Sequence, residues 1–309
     1  MIITVTMNPA IDKTLDVEYL KKGGLNRIQH VELDVGGKGI NVSKTIRQLG
    51  DKSIATGFVA GNNGKIVSNV LDELGIETDF VEVEGETRTN TKVYESTGEV
   101  TELNEPGPEI TQEQITLLLD KIQSYAGPET LVVLAGSVPN GVDTDIYARI
   151  TRLVHEKGGQ VLVDADGELF VKALEAGPDM IKPNRDELQK YADMDYLASE
   201  KELLFFARKM MQKGVSRMAV SMGRSGALFL GEDYEAKCEG LAVNAHSTVG
   251  AGDAMVAAMA YGWNQHLDRE EQIRYCMATS AGAVTTIGTK PPTKELIEEL
   301  KEKVKIVYL

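Results

Sequence analysis

The 309-residue chain is 42% hydrophobic and 26% charged and carries a formal net charge of −14. That length and balance fit a globular chain with a large core, and the negative charge excludes a general nucleic-acid binder. Any anionic ligand must then be held by a local cluster of Lys, Arg and backbone N–H groups. Two cysteines and four scattered histidines make neither a disulfide framework nor a metal-ligand cluster, so a cytoplasmic setting is expected. The first residues read as a strand, not a signal peptide. No apolar run is long enough to span a bilayer, so no membrane association is expected.

Residues 2–6 read as a buried strand, ended by Asn8, Pro9 and Ala10, with Asp12 in the turn that follows. Short strands are expected at 15–17 and 27–35. Gly36, Gly37, Lys38 and Gly39 open a helix with Val42, Ile46 and Leu49 on one face and Gly50 as its stop. A strand at 53–59 and a helix closing at Leu74 and Gly75 follow. Residues 81–83, 87–95 and 99–103 are β-rich with no helix between them. Together with the early strands they are expected to form a small antiparallel sheet, from about 13–35 and 85–104, beside one main domain spanning 1–309. That sheet reads either as a lid or as an edge extension.

From residue 105 onward helices and strands alternate. Strands are expected at 131–134, 160–163 and 218–221, with helices near 143–157 and up to about 174. Ser199 and Glu202 have capping-box spacing. Residues 227–230 and 235–239 read as an antiparallel edge. Helices at about 252–265, 270–286 and 294–302 and a strand at 304–307 close the chain. The alternation implies right-handed crossovers and an α/β fold, with a mostly parallel sheet between two helical layers. Ligands in such sheets sit beyond the carboxyl ends of the strands. Polar breaks fall at those ends: Asp12, 36–39, Gly136, Ser137, Asp164, 182–184, 221–223 and 250–253.

No Walker A motif is present, and no G-x-G-x-x-G follows the first strand. A P-loop kinase is excluded, and a dinucleotide dehydrogenase is disfavoured. Gly250, Ala251, Gly252 and Asp253 read as a glycine turn feeding a helix packed through Ala254, Ala257, Ala258 and Gly262. Its N–H groups suit a phosphoryl group and its acid suits proton abstraction, although a plain turn with an Asp N-cap has the same spacing. Lys38 reads as a phosphate ligand or a solvated turn lysine. Arg88 reads as a ligand or a surface arginine. Asn184 and Glu187 read as hard donors that hold Mg²⁺ through water, or as an N-cap and its N3 glutamate.

Four motifs in order change these odds: Asn8-Pro-Ala-Ile-Asp12, Gly36-Gly-Lys-Gly-Ile-Asn41, Lys182-Pro-Asn-Arg-Asp-Glu187 and Thr248-Val-Gly-Ala-Gly-Asp253. The chain resembles, over essentially its whole length, the ribokinase-like (PfkB-type) sugar kinases. Within them it looks most like the hexose-phosphate branch of 1-phosphofructokinases and tagatose-6-phosphate kinases. The resemblance implies a three-layer α/β/α fold with a small β-sheet lid, ATP and Mg²⁺ as cofactors, a phosphorylated ketohexose as substrate, and a homodimer through the lid. It implies Asp253 as general base, with Gly250, Ala251 and Gly252 as the anion hole. Arg27, Lys38 and Arg88 would hold the phosphate already on the sugar, with Asp12, Asn26, Gly37, Asn41, Asn90 and Ser137 around the sugar. Lys182, Asn184, Glu187, Ser221, Gly223, Gly226 and Thr248 would line the nucleotide, with adenine over Ser280 and Gly282. Asn184 and Glu187 would also place the metal. Ser247, Thr248 and Val249 depart from the Asp-Thr-Thr of ribokinases, which argues against a potassium site and against a free pentose or nucleoside. A kinase for an unphosphorylated sugar and a non-catalytic sugar-phosphate sensor are the competing readings; the intact Asp253 and glycines argue against the sensor.

Overall fold

A computed structural model describes all 309 residues. In chain order the elements are β1 (Ile2–Thr6), β2 (Ala10–Val17), β3 (His30–Gly36), α1 (Lys38–Gln48), β4 (Ile54–Ala60), α2 (Gly61–Glu73), β5 (Glu77–Thr78), β6 (Val81–Val83), β7 (Arg88–Glu95) and β8 (Val100–Asn104). Then come α3 (Gln112–Tyr125), β9 (Leu131–Ala135), α4 (Ile146–Glu156), β10 (Gln160–Asp164), α5 (Gly167–Glu175), β11 (Met180–Ile181), α6 (Arg185–Tyr191), α7 (Glu200–Met211) and β12 (Arg217–Ser221). The chain closes with β13 (Ala227–Gly231), β14 (Glu235–Cys238), α8 (Ala251–Asn264), α9 (Arg269–Ala283), α10 (Lys294–Lys301) and β15 (Ile306–Tyr308).

The main sheet runs β15-β14-β13-β12-β11-β10-β9-β1-β4-β5, with β6 also on β4. It is parallel from β12 to β5, and β13, β14 and β15 add an antiparallel edge. Period-2 alternation decides the layering. Val132 and Leu134 of β9 pack with α3, α4, α5 and α7, whereas Leu131, Val133 and Ala135 pack with α1, α8, α9 and α10. Both faces are covered, so the parallel strands are apolar throughout.

A second sheet, β3-β2-β7-β8, stands apart from the first. Its make-up differs from the sequence reading in three ways. Residues 81–83 leave it and pair with β4 in the main sheet, because Val81 is buried in the core with Phe58 and Ile115. β2 begins at Ala10, so Asp12 lies in a strand opposite Asp34 and Asn90 and not in a turn. The β2–β7 pair is parallel, so the sheet is mixed. Ile11 and Val35 bury against Val67 and Leu71 of α2, while Asp12, Asn90 and Lys92 share the opposite face, towards the main sheet's strand ends.

Candidate active site

Residues from five strand ends and two helix starts meet in one cleft of about 1410 Å³ between the sheets. Thr6 ends β1 and Asn8 follows it, Gly136 and Ser137 follow β9, and Asp164 ends β10. Lys182 and Asn184 follow β11, and Ser221 ends β12. The first turns of α1 and α8 enter from the other layer, and the small sheet supplies one wall. This is the crevice that parallel topology opens beyond its strand ends.

The N-caps of α1 and α8 are Gly37 (φ 112°) and Gly250 (φ 83°), and neither helix start has a side-chain cap. A side chain is excluded at Gly37, where a Cβ would lie 2.7 Å from Thr6 Cγ2. Both glycines therefore let the backbone turn sharply and leave first-turn N–H groups free for an anion. Asp253 sits in the first turn of α8, 8% exposed, and accepts a hydrogen bond from Asn41 Nδ2 at 2.8 Å. Burial, and then the charge of Asp164, pushes its carboxyl up to about 6, against the opposing pull of Asn41, Lys38 and Lys182. A carboxylate poised there is a base matched to neutral pH.

Beside it lies an ion triad. Asp164, fully buried, has Lys38 Nζ 3.3 Å from one oxygen and Lys182 Nζ 3.3 Å from the other. Burial alone would push the Asp164 carboxyl up; Lys182 and Lys38 overcome this and hold it below the usual carboxylate range. Lys38 in turn is held above the ordinary lysine value: burial opposes this, but Asp164, Asp253 and Glu187 prevail. Asp164 was legible only as a polar strand end, because its two partners come from 126 and 18 positions away in opposite directions.

On the small-sheet wall, Asn90 Nδ2 donates to Asp12 Oδ1 at 3.3 Å, and Arg88 donates to the Asn8 carbonyl at 3.1 Å. Burial raises the Asp12 carboxyl, with Lys92 and Asn90 opposing and Asp34 adding to the rise. Burial lowers the Arg88 guanidinium while Asp12 opposes that. Lys92 lines the same wall, and the sequence reading missed it; the signal was its i+2 and i+4 spacing from Asn90 and Arg88 on a strand. Buried side-chain atoms without a partner include Thr6 Oγ1, Asn8 Oδ1, Asn41 Oδ1, Arg88 Nε and Asn90 Oδ1, all on cleft residues. Each such atom costs about 1–3 kcal/mol unless a ligand or water satisfies it.

On the other side, Asn184 and Glu187 form a reciprocal capping box on α6: Glu187 N donates to Asn184 Oδ1 and Asn184 N donates to Glu187 Oε2, both at 2.8 Å. The geometry is that of the N-cap and its N3 glutamate; both residues also line the cleft, and the box does not use Glu187 Oε1 or Asn184 Nδ2. No three His, Cys, Asp or Glu side chains gather to cage a metal ion. Ser221, Gly223, Gly226, Thr248 and Ser280 line this side, and Ser280 Oγ donates to the Ala251 carbonyl at 3.0 Å. Ala281, within the stretch expected under adenine, lines it too; the segment 240–245, Met277 and Val284 complete its wall and went unread, because they are mostly small or apolar residues in loops and a helix flank.

Three expected site residues lie elsewhere. Asn26 folds back on its own loop, accepting from Lys21 N at 2.7 Å and donating to the Lys21 and Gly24 carbonyls. Arg27 is exposed on that loop between β2 and β3, outside the cleft lining. Gly282 is buried against Pro292, 2.7 Å from where its Cβ would be, so it allows close packing and does not face the cleft.

Residues 5–296 match the pfkB family of carbohydrate kinases. The chain belongs to that family. Among its curated relatives, a 1-phosphofructokinase of Bacillus subtilis is 36% identical with all of both chains aligned. A 1-phosphofructokinase of Vibrio cholerae is 30% identical over 100% of this chain and 97% of its own. Among solved structures, phosphofructokinase-2 of Escherichia coli, in complex with potassium, superposes with a TM-score of 0.92 at 26% identity, covering 98% of each chain.

Proposed function

We propose that this pfkB kinase transfers the terminal phosphoryl of ATP to the free primary hydroxyl of fructose 1-phosphate, giving fructose 1,6-bisphosphate and ADP. The observation that carries it is the Asp253 carboxylate, buried at the uncapped start of α8 with its affinity for protons raised. Asp253 takes the hydroxyl proton as the sugar oxygen forms a bond to phosphorus and the bond to the ADP oxygen breaks, its electron pair leaving on ADP. The N–H groups at the start of α8 hold the equatorial oxygens, because phosphoryl transfer asks for positioning and charge stabilisation.

Arg88 and Lys92 bind the sugar's own phosphate, and Asp12, Asn41 and Asn90 orient its hydroxyls. The likeness to the 1-phosphofructokinases and the cations on the small-sheet wall support a substrate that already carries a phosphate. Glu187 and Asn184 suit a metal held largely through water and nucleotide phosphates, as Mg²⁺ prefers, and do not suit an all-protein cage. When bound, Mg²⁺ supplies charge neutralisation between the nucleotide phosphates. The small sheet acts as a lid that excludes water from the transfer point. Its exposed Val31, Leu33 and Leu103 fit an interface between two copies, which light scattering of the purified chain tests. Ser247 offers no carboxylate for potassium, so activity is expected to be the same in sodium and potassium salts.

ADP release with Mg²⁺ and ATP is measured against fructose 1-phosphate, tagatose 6-phosphate, fructose 6-phosphate and free fructose. The proposal expects the highest kcat/KM with fructose 1-phosphate and its loss in Asp253→Asn. Preference for tagatose 6-phosphate moves the substrate and keeps the chemistry. Turnover of free sugar alone defeats the reading.

A further inference from the structure

An ion pair built on a buried lysine ties the small sheet to the main domain. Asp34 of β3 stands directly opposite Asp12 of β2. Lys44 Nζ, from α1, donates to both Asp34 carboxylate oxygens at 2.9 Å and to the Val35 carbonyl at 3.0 Å. The Lys44 side chain is 5% exposed, and these acceptors match the three donors of its ammonium group. The pair therefore fixes the end of β3 on α1.

A further bond reaches Asp34 from outside this pair. Thr289 Oγ1 donates to Asp34 Oδ2 at 3.2 Å. Thr289 belongs to the segment between α9 and α10, is 9% exposed and lines the cleft. Its Cα lies 3.4 Å from where a Cβ on Gly250 would be, so the segment packs against the N-cap of α8. Lys290 reaches β3 as well, through an ion pair of 2.6 Å with Glu32. Glu32 and Asp34 are two apart on a strand and share one face. A path thus runs from Asp12 through Asp34 and Thr289 to Gly250. Its links at Thr289 and Lys290 are one side-chain hydrogen bond and one partly exposed ion pair, contacts that open and re-form without breaking a strand.

We propose that Thr289 is a positioning residue: its bond to Asp34 latches the sugar-facing wall to the turn at Gly250, so that sugar phosphate and nucleotide tighten each other's binding. This rests on the kinase reading above and adds to it a coupling between the two substrates. Asp12 and Asn90 meet the sugar, and the N–H groups behind Gly250 meet the phosphoryl. A sugar phosphate that holds the wall presents Asp34 to Thr289, and a nucleotide that orders the turn presents Thr289 to Asp34. Each ligand favours the same latched arrangement, and linkage makes the effect reciprocal.

The test is binding without turnover. AMP-PNP with Mg²⁺, an ATP analogue whose terminal phosphoryl is not transferred, is titrated into the protein by calorimetry with and without saturating fructose 1-phosphate. Fructose 1-phosphate is also titrated alone. Wild type is expected to bind the analogue about tenfold more tightly when the sugar phosphate is present. Thr289→Val keeps the branched shape and removes the donor; it should cut that ratio to about twofold and hold each ligand's own Kd within about twofold. Thr289→Ser restores the hydroxyl and should restore the ratio. Thr289→Val combined with Lys290→Gln should abolish it. Asp34 is left intact, because its loss would strand Lys44 as a buried, unpaired charge.

A ratio in Thr289→Val equal to that of wild type overturns the proposal, whatever the melting temperature does. So does a wild type in which neither ligand tightens the other. A Thr289→Val that weakens both ligands alone and keeps the ratio overturns it too, since that is a structural loss. Failure of fructose 1-phosphate to bind the wild type strikes down the proposed function and the latch with it; an unchanged ratio strikes down the latch alone.

Discussion

Asn41 and Asp253 are separated by 212 positions in the chain, yet the Asn41 amide donates to the Asp253 carboxylate at 2.8 Å. The bond joins the first turns of α1 and α8 and ties the sugar-facing wall to the candidate base. It favours the charged carboxylate and so opposes the burial that raises it.

The pH–rate profile should show this. With Asp253 active when deprotonated, kcat/KM rises with pH through an acid limb at about 6. Asn41→Ala removes a donor to the charged form, so the limb should move to higher pH. A limb that stays in place in Asn41→Ala would separate it from Asp253.

Asp253→Asn should trade activity for stability. Loss of the base should lower kcat by about 100- to 10,000-fold. The folded carboxyl is pushed up to about 6 from an ordinary value of 3.8, so the native state holds a proton that the unfolded chain has released between those values. Stability contributed at this site therefore falls as pH rises through that window and stays reduced above it. At about pH 8 the Asn variant should gain up to roughly 3 kcal/mol in urea unfolding, with no gain at about pH 4.

Lys92→Gln and Arg88→Ala separate the two ends of the substrate. Each should raise KM for the sugar phosphate at least about tenfold and leave KM for MgATP within about twofold. Arg88→Ala should also lower the melting temperature, because its guanidinium holds the Asn8 carbonyl. Lys92→Gln should not, since Lys92 makes no ion pair of its own. Initial-rate kinetics beside thermal melts check both.

Glu187→Gln keeps the capping box, since Gln serves at N3 as well as Glu does. Thermal stability should then be unchanged, while the free Mg²⁺ needed for half-maximal rate rises several-fold. A melting temperature that falls with no change in the Mg²⁺ requirement would assign Glu187 to the cap alone.

The sequence by itself determined the α/β alternation, the two glycine helix starts and Asp253, because each is a local signal. Apolar period tells strand from helix, and a glycine before a helix leaves free N–H groups whatever surrounds it. Its polar strand ends named most of the cleft, since parallel sheets gather those ends in one crevice. Only the tertiary structure decided the pairings. Asp164 became a counter-ion because strand order placed β10 between the ends of β9 and β11, near α1. Residues 81–83 joined the main sheet because Val81 found a buried partner in β4's neighbourhood, and a β-rich pattern does not say which edge it will join. Arg27 fell outside the cleft, and Gly282 was taken by Pro292, because loop direction and helix packing are set by contacts far away in sequence.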